Sequence, residues 1–249
     1  MHSMKDKIHG IFLGCYLGDR SGMPVEGWTS DEIARKYGRI SSLLPNGRTT
    51  DDWQLTKAVA EGLIAGGLDM DAQAVAHRKA AQLDTYGWGG GTRESVYRLS
   101  MGTHWSKTGQ LLSSCNGVAM KVSPLGALAA AMTPRRKEVY EFAMKLARMT
   151  HISKVAAASG LAQVAAVEYC LRTKRFIKNQ FVDAVVNASQ MAAGVQVMLG
   201  VDEPDITARF AMLNKRLTPK RINKETSNVP GMVQIPFSRS SFWEGSHRS

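Results

Sequence analysis

Cysteine is scarce in this chain: the three residues, Cys15, Cys115 and Cys170, each stand singly in apolar or glycine-rich surroundings. Such spacing offers neither a disulfide framework nor a zinc-ligand pattern, and it suits a reducing cytoplasm. Aromatic residues are only 7% of the sequence, too few for a typical β-sandwich. No run of 18 apolar residues is present, so a membrane-spanning helix is not expected. The opening Met1-His2-Ser3-Met4-Lys5-Asp6-Lys7 precedes only a short apolar stretch broken by glycines and lacks a signal-like cleavage region, which argues against secretion. What is present is aliphatic. The 249 residues are 44% hydrophobic, enough for one domain with a sizeable core. Stretches such as Val155-Ala156-Ala157-Ala158 and Leu161 through Val167 are helix-forming and free of proline. The expectation is an all-α, single-domain helical bundle.

The net charge of +11 has two readings. Residues 171–249 are proportionally more basic than the rest, with clusters at Arg172, Lys174, Arg175 and Lys178 and at Lys215, Arg216, Lys220, Arg221 and Lys224. Basic clusters attract nucleic acid or acidic protein surfaces. No aromatic platform of the kind that stacks single-stranded bases is interleaved with them, so a solvated basic face is preferred to a nucleic-acid-binding protein.

Three segments carry chemistry. In the first, Thr50-Asp51-Asp52 runs directly into the helix-like Trp53 through Ala60, so two adjacent carboxylates and a hydroxyl open a helix. Oxygen ligands of this kind suit a hard divalent cation, and the free N–H groups of a helix start tolerate negative charge. An ordinary N-cap at Thr50 or Asp51 is the competing explanation. In the second, Gly10, Gly14, Gly18 and Gly22 recur every four residues, which on a helix puts them on one face open to close packing. That segment then delivers Glu26 just past Pro24. In the third, the small-residue loop Ser113-Ser114-Cys115-Asn116-Gly117 leads through Met120 into an apolar stretch, and its backbone N–H groups could meet phosphate oxygens. A plain Asn-Gly turn would look the same.

Taken in order, these segments resemble the ADP-ribosylglycohydrolase family. The likeness covers roughly residues 6–200: the Gly-x-x-x-Gly-Asp-x-x-Gly-x-x-x-Glu opening from Gly14 to Glu26, Thr50 to Asp52, Tyr86 to Arg93, Asn116 to Val122, and the pair Thr150-His151 opening a long helix. The resemblance implies an all-α bundle with a two-metal centre, usually Mg²⁺ and sometimes Mn²⁺. It implies cleavage of the glycosidic bond between ADP-ribose and a protein side chain, or in a related small ADP-ribosyl compound. By the same resemblance Thr50, Asp51 and Asp52 would ligate metal, and Glu26, Asp51 and Asp52 would be catalytic. Ser113, Ser114, Cys115, Asn116, Gly117 and Met120 would hold pyrophosphate and distal ribose, with His151 touching the ADP-ribose. On local grounds His151 reads first as a capping or packing residue, and only the order of the motifs brings ligand contact level with that reading. Trp53, Trp88 and Trp105 could line an adenine slot, with core packing as the default.

The sequence departs from the family pattern at its end. A second metal element, Gly-Gly-Asp-x-Asp-Thr, is not spelled in residues 200–249, and the nearest stretch, Asp202-Glu203-Pro204-Asp205-Ile206-Thr207, has its aspartates three apart around a proline. The chain is therefore expected to be C-terminally shortened, with a helical domain over 1–225, a loosely ordered tail over 226–249 and an incomplete Mg²⁺ or Mn²⁺ site. A catalytically weak or inactive ADP-ribose-binding homologue is the alternative to an active hydrolase. Expected helices run near 6–18, from Asp31, and at 51–65, 71–83, from 92 or 93, and at 117–131, 135–149, 152–173, 178–199 and 205–216. A loop is expected over 87–91.

Overall fold

The computed structural model describes residues 3–132 and 134–193. The stretch 202–207, the helix expected over 205–216, the second basic cluster, the tail over 226–249 and the end of the helix expected over 178–199 lie outside the described residues. Nine α-helices are found among those described: α1 Met4–Gly22, α2 Ser30–Tyr37, α3 Asp51–Gly66, α4 Met70–Leu83, α5 Gly90–Ser100, α6 Ser123–Ala131, α7 Arg136–Thr150, α8 Lys154–Arg172 and α9 Lys178–Gln190. Two short strands, β1 Gln110–Leu111 and β2 His151–Ile152, pair in parallel, with Gln110 opposite His151. The fold is all-α, and no described helix is long and apolar enough to cross a membrane.

Caps set most helix starts. Ser3 with Asp6, and Thr29 with Glu32, form reciprocal capping boxes, and Asp69 accepts from the amides of Asp71 and Ala72. Gly67, at φ 64°, stops α3. α6 begins at Ser123 rather than at 117, because Pro124 is confined to a first turn and residues 116–121 are held in tighter turns. Thr150 and His151 do not open a helix. Thr150 ends α7, His151 enters β2, and α8 starts only after Ser153, whose side chain accepts from the amide of Ala156. The loop expected over 87–91 closes earlier, with α5 beginning at Gly90.

The core lies between α3, α6, α7 and α8, where Leu55, Val59, Leu125, Leu146, Met149, Leu161 and Val164 are buried. α6 approaches α8 so closely that a Cβ on Gly126 would stand 2.5 Å from Val167 Cβ, which makes it one of the close-packing glycines of the bundle. The stripe expected to play that part does not. A Cβ added at Gly10, Gly14, Gly18 or Gly22 would meet nothing within 4 Å among the described residues, and Leu13 and Leu17 beside them are exposed. α7 is tied to α8 by the buried carboxylate of Glu168, which accepts from Tyr140 Oη at 2.6 Å and from Arg136 Nε at 2.8 Å.

Candidate active site

The carboxylates of Asp51 and Asp52 sit at the first turn of α3, half-buried, where the fold gathers α1, the 85–89 turn and the 112–122 segment. α1 places its one buried polar residue, Asp19, against this helix start. Asp19 Oδ2 accepts from the amides of Thr50 at 2.8 Å and Trp53 at 3.2 Å, while Oδ1 accepts from the Thr50 hydroxyl at 2.7 Å. Asp19 therefore caps α3 from a different helix, using the free amides of its first turn. Thr50 Oγ1 in turn accepts from the amide of Asp52 at 3.4 Å. The turn over 85–89 closes one side: Gly89 N donates to Asp51 Oδ2 at 3.3 Å, and Trp88 Nε1 donates to Gln54 Oε1 at 2.5 Å. Gly87 has φ 77° and faces Thr50, whose Cβ would lie 2.7 Å from any side chain there. Thr56 Oγ1 donates to the carbonyl of Met120 at 3.0 Å, fastening α3 to the third segment.

Asp51, Asp52 and Glu26 form no ion pair with a basic side chain among the described residues. Burial is the main reason that Asp52 is pushed up to about 7, reinforced by the charges of Asp51, Asp19 and Glu26. Burial also raises Asp51, to about 6, against the lowering effect of the Gly89 amide and with help from Glu26 and Asp19. Glu26, exposed just after the 3₁₀ turn Met23–Val25, is thus within electrostatic reach of both aspartates. Concentrated, unneutralised oxygen charge is the donor chemistry of a hard cation, so the residues present fit one half of a Mg²⁺ or Mn²⁺ site. Among the described residues no group of three or more His, Cys, Asp or Glu side chains converges closely enough to hold an ion alone.

The sign of the pH effect follows from these shifts. Both folded-state values lie above that of an unfolded carboxylate, so between about pH 4 and pH 7 the folded chain holds protons that the unfolded chain has released. The stability they contribute is full below the unfolded value and is lost as pH rises through about 6 to 7. In cation-free buffer, urea unfolding of the wild type is expected to lose on the order of 2 kcal/mol between pH 5 and pH 8 on their account, a figure already reduced for coupling and partial solvent access. Asp51→Asn with Asp52→Asn should flatten that slope. Equal slopes in the two proteins would refute the electrostatic account.

The third segment adjoins this centre. Leu112, at φ 56°, carries the chain out of β1 in a conformation that non-glycine residues seldom adopt. Among the described residues, the amides of Ser113, Ser114, Cys115, Asn116 and Gly117 donate to no backbone or side-chain acceptor. Behind them lies a buried polar row. Lys121 Nζ donates to Thr150 Oγ1 at 2.7 Å, Thr150 Oγ1 lies 2.8 Å from His151 Nδ1, and His151 Nε2 lies 3.0 Å from Cys115 Sγ. Lys121 is fully buried, which lowers it to about 7 against the raising charges of Cys115 and Asp51. His151 is 1% exposed and is lowered to about 3, by burial first and by Lys121 second, so the ring is neutral. Gly117 lies close against that ring: a Cβ there would come within 2.6 Å of His151 Nε2. Both ring nitrogens of His151 are engaged, which places the ring beneath the loop rather than in open solvent.

The motifs singled out in the sequence are thus brought to one end of the bundle. Core packing, the default for the tryptophans, holds for Trp88 and Trp105. Trp53 packs edge-on against Phe12 and Tyr16, Trp88 is buried, and Trp105 packs on the core. Sequence reasoning left Asp19, which follows Gly18 in the opening motif, to pair with its helix neighbours, whereas it bonds to the start of α3.

Comparison with known proteins now decides the family: its profile, described as ADP-ribosylglycohydrolase, matches residues 1–240. The chain belongs to the ADP-ribosylglycohydrolase family. A curated relative, an uncharacterized protein of Archaeoglobus fulgidus, is 29% identical over 182 residues, covering 66% of this chain and 55% of the relative. A second, the ADP-ribosyl-[dinitrogen reductase] glycohydrolase of Rhodospirillum rubrum, is 36% identical over 72 residues, covering 26% of this chain and 24% of that protein. The chain thus spans about half the length of the first relative. A solved ADP-ribosylglycohydrolase-related protein complex shares the fold, with a TM-score of 0.55 and 24% identity over 81% of this chain and 70% of that one.

Proposed function

We propose that this ADP-ribosylglycohydrolase-family chain binds an ADP-ribosyl group and hydrolyses the glycosidic bond joining it to a protein side chain or to a related small compound. The observation that carries the reading is the set of three carboxylates, Asp51, Asp52 and Glu26, gathered at the start of α3 with no ion pair among the described residues. Thr50, Asp51 and Asp52 would hold a Mg²⁺ or Mn²⁺ ion, which when bound supplies Lewis acidity and orients ribose hydroxyls. Glu26, on the open side, would take the proton of a water as its oxygen attacks the anomeric carbon; the bond to the side-chain nitrogen or oxygen breaks, and that atom leaves protonated. The loop from Ser113 through Met120, with the free amides of Ser113–Gly117, would receive the pyrophosphate and distal ribose. His151 and Lys121 hold that loop from below.

A second reading has its own support. Because the described residues offer only half of a metal shell, a chain that binds ADP-ribose but turns over slowly or not at all is the alternative. Calorimetry with ADP-ribose, with and without Mg²⁺, beside a turnover assay on arginine- and serine-linked peptides separates the two. Micromolar binding strengthened by Mg²⁺, together with release of ADP-ribose, is the expected outcome. Binding without release selects the second reading, and no binding refutes both. Salt-sensitive association with DNA or RNA in place of ADP-ribose binding would point to the basic surface instead.

A further inference from the structure

We propose that Lys121 takes up a proton as the diphosphate of ADP-ribose settles on the 113–117 loop, so that a buried ammonium holds the anion from behind; the inference rests on the function proposed above. Lys121 is fully buried, and its Nζ meets one acceptor, Thr150 Oγ1 at 2.7 Å. No ion pair among the described residues includes it. An ammonium carries three N–H groups and is stable inside a protein only where charge or hydrogen bonds replace the lost water. With one acceptor and no carboxylate in contact, that replacement is incomplete, and burial draws the amine down to about 7. An anion close by supplies what is missing.

The groups facing Lys121 are Asp51 from α3, His77 from α4, Cys115 from the loop after β1, Thr150 from the end of α7 and His151 from β2. Asp51 and Cys115 act to keep the amine charged. Both histidines are lowered to about 3, by burial first and by Lys121 second, so neither takes the proton near neutral pH. His77 Nδ1 lies 2.9 Å from the carbonyl of Gln73, to which it donates, and its buried Nε2 has no partner among the described residues. The direction of the row follows from the charge on lysine. A charged Nζ donates and accepts nothing, so Thr150 Oγ1 accepts from it and gives its own proton to His151 Nδ1, 2.8 Å away. The single N–H of the neutral ring is then on Nε2, 3.0 Å from Cys115 Sγ on the loop. Every link thus turns its positive end toward the loop when Lys121 is charged. A neutral amine can accept as well as donate, and that order is no longer imposed. Five loop amides, at 113–117, donate to no acceptor among the described residues, so the surface above the row offers an anion hydrogen bonds as well as charge. A unit charge on the order of 10 Å away through protein moves a proton affinity by about one pH unit.

The test is calorimetry of the full chain with ADP-ribose in EDTA at pH 7.5, in buffers of different ionisation enthalpy. Both phosphates of ADP-ribose stay ionised in this range, so any proton taken up resides on the protein. The expected result is an uptake of about half a proton per ligand, with affinity falling as pH rises from 7 to 9. Lys121→Arg, charged at every pH, should bind with little or no uptake. Asp51→Asn with Asp52→Asn should retain the uptake, and the loss of two negative charges favours anion binding in EDTA. Wild-type binding with the same heat in every buffer would overturn the inference and leave the proposed function standing. Uptake that survives Lys121→Arg, or disappears with the two aspartates, would place the proton elsewhere and overturn it too. The wild type and the aspartate variant decide the matter if Lys121→Arg does not fold, and absence of any binding would remove the inference together with the function it rests on.

Discussion

Replacing Asp51 and Asp52 together by alanine is expected to abolish Mg²⁺-dependent release of ADP-ribose from an arginine- or serine-linked peptide, by at least ~10³-fold if the chain is active. The two residues provide both carboxylates at the start of α3, and Asp51 is oriented there by the amide of Gly89. A cation left with Thr50 alone loses its charged ligands, and charge count sets much of the affinity for a hard ion. If the wild type proves a slow enzyme, the same comparison is made by calorimetry with MgCl₂, where the double variant should give no binding heat. Misfolding is separated from loss of the ion by stability: both side chains are raised by burial first and by neighbouring carboxylates second, so their removal should leave the cation-free fold as stable at pH 8 or more so. Unchanged turnover and unchanged Mg²⁺ binding would refute the metal assignment.

Some helix starts are marked in the sequence by a short polar side chain that reaches its own first turn. Ser3, Thr29 and Asp69 cap locally, so a reading of neighbours three residues apart finds them. Thr150-His151 failed for the opposite reason. Two residues of strand are too short to carry a period of two, and what pulls His151 out of helix is pairing with Gln110, forty-one positions away in the chain. The glycine stripe of α1 states only that a close approach is permitted, and no described element makes one. The grouping of Asp51, Asp52, Glu26 and the 113–117 loop was legible only through the family likeness, because no local pattern fixes which helix ends share a face. The Lys121–Thr150–His151–Cys115 row was illegible by any local rule, since its members come from the turns before α6, the end of α7, β2 and the loop after β1.

Asp19 is the residue whose loss should cost most to the fold near the centre, although it is not a proposed ligand. Its carboxylate satisfies two amides and one hydroxyl at the start of α3 while only 8% exposed. Bonds to a charged acceptor contribute about 1.5–3 kcal/mol each when broken one-sidedly, with overlap among the three. Asp19→Ala is therefore expected to destabilise the chain by about 3 kcal/mol at pH 5. At pH 8 the cost should be smaller, because the same carboxylate repels Asp51 and Asp52 once they ionise. Hydrogen bonding still wins at both values, since the charges act across a distance and the bonds are direct contacts. Asp19→Asn can place its oxygen at the Oδ2 position and keep both amide bonds. Thr50 would then have to accept from the amide nitrogen instead of donating, so this variant should lose only about 1 kcal/mol. The functional consequence follows from geometry: with the cap gone, the first turn of α3 frays and Mg²⁺ affinity falls in Asp19→Ala, with most of it recovered in Asp19→Asn. Urea unfolding at both pH values, paired with Mg²⁺ calorimetry, reads the two effects separately. An alanine variant as stable as the wild type at pH 5 would mean that α3 keeps its first turn without help from α1, and the carboxylates of Asp51 and Asp52 would then owe their placement to Gly89 and the 85–89 turn alone.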